Sequence, residues 1–234
     1  MAIKPILFNT EMVRANLEGR KSCTRRLVSS RQFLGMLPDK CKNAAPDEFL
    51  KGKRMMFKPY CDMTDAELIM TAYKAPYQPG DILYVRETVW QKIGYYLDID
   101  GETKPSWYNE FKYVASDEKP ETGWNYSWAK RPSIHMPKEA ARIWLKVTDV
   151  RVERLQEITD EQAKREGIQY YECPTGFTWK QETDMHNCYT TPIGAMQALW
   201  NSTIKKSDLD RYGWNANPWV WVIEFERCEK PEGV

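Results

Sequence analysis

Pro218-Trp219-Val220-Trp221-Val222-Ile223-Glu224-Phe225 carries apolar side chains at almost every position. A strand sends successive side chains to opposite faces, so this run is apolar on both and belongs in the middle of a sheet. Trp219 and Trp221 are read as core. Upstream, Arg142 to Arg154 alternates: Ile143, Leu145 and Val147 share one face, and Val150 and Val152 follow after a bend. Its length suits a strand that curves around a small barrel. Ile82-Leu83-Tyr84-Val85-Arg86-Glu87-Thr88-Val89-Trp90 reads as one buried strand behind the turn Tyr77-Gln78-Pro79-Gly80-Asp81. Lys4 to Phe8 is a short apolar strand.

Short helices fall between these strands. Asn9 or Thr10 can cap one that runs through Met12, Val13, Asn16 and Leu17 and stops at Gly19. Thr159-Asp160-Glu161-Gln162 is a capping box for a helix over Glu161–Glu166, closed by Gly167. Thr191-Pro192 opens a third, with Ile193, Met196, Trp200 and Ile204 on one face. Strands dominate and no βαβ rhythm appears. The expected class is therefore α+β: a small mixed β-barrel with short peripheral helices.

A chain of 234 residues can bury one substantial core, and a single domain over 1–234 is expected, with insertions at about 29–75, 91–135 and 170–190. No window approaches ~18 consecutive apolar residues, so no membrane span is expected. The stretch MAIKPILFNTEMVRANL lacks the apolar run of a secretory signal, which predicts a cytoplasmic protein. Six scattered cysteines without a Cys-x-x-Cys pair read as reduced thiols. His186-Asn187-Cys188 with Cys173 matches no standard zinc spacing, and no phosphate-binding or dinucleotide-binding glycine motif is present. Neither a metal nor a cofactor is expected.

Net charge is +1, yet residues 1–60 hold thirteen Lys or Arg against five Asp or Glu. That excess fits a local anionic partner such as phosphate, and equally a solvated helix and loop. Its densest part is Gly19-Arg20-Lys21-Ser22-Cys23-Thr24-Arg25-Arg26, too polar for a core element and expected as a loop or edge strand. Extended backbone would put Lys21, Cys23 and Arg25 on one face and Ser22, Thr24 and Arg26 on the other. A tight turn would instead bring Lys21 to Thr24. Arginine suits bidentate recognition of phosphate or a base edge, whereas lysine is a movable point charge.

Gly-x-Lys-x-x-Thr-x-Arg after a first helix, filled here by Gly19, Lys21, Thr24 and Arg26, resembles the signature of the ASCH family, a branch of the PUA-like fold. Gln78–Val85, Ile158–Gly167 and Val220–Phe225 are similar, in order, to three further segments of that family. With Glu87–Trp90 and Lys130–Pro137, the pattern looks like the longer ASCH-type proteins of tailed bacteriophages and prophages. The resemblance implies a PUA-like barrel whose cleft takes RNA or a modified nucleobase or nucleoside. It also implies that Lys21, Thr24 and Glu166 occupy the positions of residues that, in compact family members, remove the acetyl group from N4-acetylcytidine. In that amidohydrolase chemistry a neutral lysine takes the threonine proton and the hydroxyl attacks the acyl carbon, with the glutamate orienting or shuttling protons. The chain is about twice the size of the compact hydrolases, and binding without turnover is the primary expectation.

Arg25, Arg26, Arg86, Glu87 and Trp90 complete the expected ligand-binding set. Glu87, beside Arg86, either forms an Arg–Glu surface pair or meets a cross-strand partner; in a functional role it tunes Lys21 or accepts from a base amino group. Trp124, Tyr126 and Trp128 alternate beside Lys130 and Arg131; they form either a packed ribbon or a base-stacking stripe. The different class to weigh is a phage accessory protein with a host or phage protein partner, the aromatic insertion serving as its interface.

Overall fold

A computed structural model describes residues 1–29, 64–172, 175–180 and 188–233. Ten strands and five α-helices are built from them, besides short 3-10 turns, in the order β1 (Ile3–Leu7), α1 (Thr10–Leu17), β2 (Cys23–Leu27), α2 (Asp65–Ala72), β3 (Ile82–Arg86), β4 (Val89–Leu97), β5 (Thr103–Tyr113), β6 (Tyr126–Arg131), β7 (Trp144–Arg154), α3 (Asp160–Arg165), β8 (Gln169–Glu172), β9 (Thr175–Thr178), α4 (Pro192–Thr203), α5 (Leu209–Tyr212) and β10 (Trp219–Cys228). The class is mixed α+β, mostly strands with short helices. Hydrogen-bonded order is β1-β3-β7-β10-β2, β5-β4-β6 and β8-β9. The five-stranded order is open, and among the described residues no sheet closes into a barrel. No helix of the described residues is long and apolar enough to cross a membrane.

The chain groups into two compact units, one of 1–19, 82–146 and 227–234, the other of 20–81 and 147–226. In the first, β1 lies parallel to β3, Ile3 opposite Ile82, and β3 is antiparallel to the start of β7. Its core gathers Ile82, Val89, Met136, Ala140, Ala141 and Trp144, flanked by Tyr84, Phe111 and Tyr113. Helix α1 is capped by Asn9, whose side chain accepts from the Met12 amide, and Gly19 ends the turn at φ +76°. The stretch expected as one strand over Ile82–Trp90 is two. Val85 donates to Ile143 O in the five-stranded ladder, whereas Val89 faces Tyr113 and Arg131 in the three-stranded one. Glu87 and Thr88 are the crossing, a change of partner that periodicity alone does not register.

In the second unit β10 is antiparallel to β2, with Val222 opposite Arg25. Trp219 through Ile223 are all buried, as a central strand apolar on both faces requires. Along β7 the burial slips phase at Thr148-Asp149, both exposed, so Val147 and Val150 are each inside. The slip falls where the sequence pattern changes face, between Val147 and Val150. The Thr159 capping box opens α3, with Glu166 as C-cap and Gly167 at φ +108°. Helix α4, begun by Pro192 and capped by Thr191, buries Ala195, Met196, Leu199 and Trp200 and packs against α3 and β9. Of the expected insertions, 91–135 is the β4–β6 sheet and connections, more regular than its composition suggests. Most of 29–75, and Cys173 and His186, lie outside the described residues.

Candidate functional site

The basic stretch after α1 is an edge strand with its lead-in, and it is not solvated. Lys21, Thr24 and Arg25 are all buried. The reason is local. Helix α3 ends with unpaired carbonyls, as every helix does, and the lead-in supplies donors to three in succession: Arg20 Nη1 to Gly167 O at 2.6 Å, Lys21 Nζ to Glu166 O at 2.9 Å, and Ser22 N to Arg165 O at 2.9 Å. Cations at a helix C-terminus also meet the negative end of its dipole.

Side-chain contacts then close the site. Lys21 Nζ stands 2.7 Å from Glu166 Oε2, across 145 residues of sequence, and donates to Cys23 O at 2.9 Å. Arg25 reaches Glu166 Oε1 and Glu153 Oε2 at 3.2 Å each and Gln162 Oε1 at 3.0 Å. The Lys21 and Arg25 side chains are wholly inaccessible and that of Glu166 is 2% exposed. Two cations against Glu166 and Glu153 leave the cluster balanced, the condition under which buried charge is tolerated. Arg25 Nε alone has no hydrogen-bond partner among the described residues. From Glu153 the network continues through Arg151 to Glu224 and Arg165; Arg165 first, then Arg151, hold the Glu224 carboxyl below its usual range.

Lys21, Cys23 and Arg25 therefore share the face turned to α3, the extended-strand alternative of the sequence pattern. Thr24 and Arg26 take the opposite face of β2. Burial pulls the Arg26 guanidinium below its ordinary range, against the Tyr77 phenol and Glu166 carboxylate, which favour its charge. Burial likewise pushes the Tyr77 phenol up, with Arg26 opposing. Glu153, Gln162 and Tyr77 are site residues that sequence reasoning missed. Gln162 was visible only as a capping residue; its Oε1 accepts from the Thr159 amide and from Arg25 alike.

Arg86, Glu87 and Trp90 belong to the first unit and have their own partners. Arg142 grips Glu87 with a fork, Nε to Oε1 at 2.9 Å and Nη2 to Oε2 at 3.0 Å, and its guanidinium lies 3.9 Å over the Tyr113 ring. Glu87 is thus paired with Arg142 and not with its neighbour Arg86, which donates to the carbonyls of Met136 and Ile134. Trp90 stands opposite Lys112 and Lys130 on the two adjoining strands.

Burial pushes the Cys23 thiol up to about 12, the nearby Glu166 carboxylate adding to the shift and Lys21 and Arg25 opposing it. Only thiolates alkylate readily. Iodoacetamide at about pH 8 is expected to modify Cys23 at least about tenfold more slowly in the native protein than in denaturant, read by peptide mass spectrometry. Native labelling of Cys23 as fast as that of half-buried Cys188 or Cys228 would contradict its enclosure.

Comparison with family models, with curated proteins and with solved structures finds no match to this chain.

Proposed function

We propose that the chain is an ASCH-type, PUA-like cytoplasmic protein that binds RNA or a modified nucleobase or nucleoside beside β2. Half-buried Arg26 faces the ligand, buried Thr24 packs beside it on the same face of β2, and the Lys21–Arg25–Glu166 cluster fixes the strand behind them. The observation that carries this reading is the Lys21–Glu166 contact at 2.7 Å, which joins the two motifs of the resemblance across 145 residues of sequence. A guanidinium held partly out of water beside a phenol suits a base edge or a phosphate. An ammonium already donating to three acceptors favours binding over turnover, since a general base must be neutral.

Single-stranded RNA titrated by fluorescence anisotropy is expected to bind with marked salt dependence. Loss of one charge-assisted contact in Arg26→Ala should weaken it by about ten- to a hundredfold. Binding indifferent both to salt and to Arg26→Ala would sink the proposal. Acetate released from N4-acetylcytidine by the parent protein, and abolished in Lys21→Met at unchanged RNA affinity, would make the same site a hydrolase.

A further inference from the structure

The three-stranded sheet of the first unit has one face inside and one that does not match an ordinary solvent face. Val89, Gln91 and Ile93 of β4 are buried. The alternate positions Trp90, Lys92, Gly94 and Tyr96 take the other side, and register adds Lys112 from β5 with Tyr126, Trp128 and Lys130 from β6. The Tyr108 ring lies across Gly94 so closely that a Cβ there would stand 2.5 Å from a ring carbon, which is why the position is glycine. Lys92 Nζ sits between two of these rings, 5.5 Å from the Tyr108 centroid and 4.8 Å from that of Tyr126, and pairs with Glu110 at 2.9 Å. Tyr108 is 45% and Tyr96 52% exposed, while Trp90, Tyr126 and Trp128 are half-buried.

Trp90 is the telling position. Its two cross-strand neighbours, Lys112 and Lys130, are exposed, and neither is in an ion pair among the described residues. An indole between two uncompensated ammoniums, continued by further rings on the same face, matches a partner that alternates flat rings with negative charge. We propose that this face binds single-stranded nucleic acid, with bases stacked on Trp90, Tyr108 and Trp128 and phosphates paired with Lys112 and Lys130. Stacking reads no base edge and the ammoniums read no sugar, so DNA and RNA single strands are both ligands. A duplex hides its base faces and is a poor one. The site shares no residue with that proposed beside β2.

The test uses the full chain with labelled oligo-dT and oligo-U of about ten nucleotides, within the site sizes typical of stacking platforms. With the β2 site weakened by Arg26→Ala, Trp90→Ala is expected to lower binding of both roughly five- to a hundredfold further, and Trp90→Phe to restore much of it. Lys112→Gln/Lys130→Gln, at exposed positions that leave the fold intact, should reduce the slope of log affinity against log salt by about 1.4, two phosphates at about 0.7 each. Arg26→Ala should leave both effects in place, so failure of one site does not masquerade as failure of the other. Three results overturn the proposal: no oligonucleotide binding, binding unaffected by the Trp90 and lysine variants, or tighter binding of a duplex of equal length. A protein partner or self-association lost in Trp90→Ala, with no single-strand binding, overturns it too.

Discussion

Replacing Glu166 by alanine is expected to lower the free energy of unfolding by about 3–5 kcal/mol, the range for breaking a buried ion pair from one side. Lys21 and Arg25 have side chains with no exposed surface, so neither reaches water when the carboxylate is removed. Lys21 would keep two backbone carbonyls, and Arg25 would keep Glu153 and Gln162. The cluster would still hold one buried positive charge too many. Glu166→Gln retains acceptor and shape but not the charge, and should fall between parent and alanine variant. Guanidinium titration followed by circular dichroism measures all three. A Glu166→Ala protein within about 1 kcal/mol of the parent would mean that water enters beside Lys21 and Arg25, contrary to their burial.

Why that cluster was only half legible follows from two kinds of signal. The shared face of Lys21, Cys23 and Arg25 depends only on the two-residue period of extended backbone, so it could be read before any partner was known. The partner could not be read so. Nothing local to Glu153 distinguishes it from other β7 polar positions, and Gln162 has a sufficient explanation in its capping box. Burial of the basic stretch was missed for a related reason. Composition scores three cations as a solvated surface, but their donors are taken up by the last carbonyls of α3 and by two carboxylates. Helix ends need such donors, yet sequence does not say which distant segment brings them.

The fold divides the same way. Trp219–Ile223 and the phase slip at Thr148-Asp149 were readable because burial on two faces, or a change of face, is written in the residue types themselves. The break of Ile82–Trp90 into β3 and β4 was not. Both halves carry the same apolar alternation, and what separates them is a change of hydrogen-bonding neighbour at Glu87-Thr88. The β5 strand was not readable over Thr103–Glu110, which is largely exposed and lacks an apolar face of its own.

Glu87 and Arg142 offer the sharper test of how charge is held in this protein, because the two partners are unequal. Glu87 is 1% exposed, whereas Arg142 keeps 26% of its side chain in solvent and rests on the Tyr113 ring and the Ser116 hydroxyl. Arg142→Met strands the buried carboxylate, and about 3–5 kcal/mol of stability should be lost at neutral pH. Glu87→Gln leaves the charge on the partner that can recruit water, and should cost only about 1–2 kcal/mol, near the value of a charge-assisted hydrogen bond. Removing both charges in Arg142→Met/Glu87→Leu should recover much of the loss, since an apolar pair of similar volume carries no desolvation penalty. Denaturant titrations of the four proteins at neutral pH decide it. Equal losses in the two single variants, with no recovery in the double, would show that the pair is not governed by the burial of Glu87.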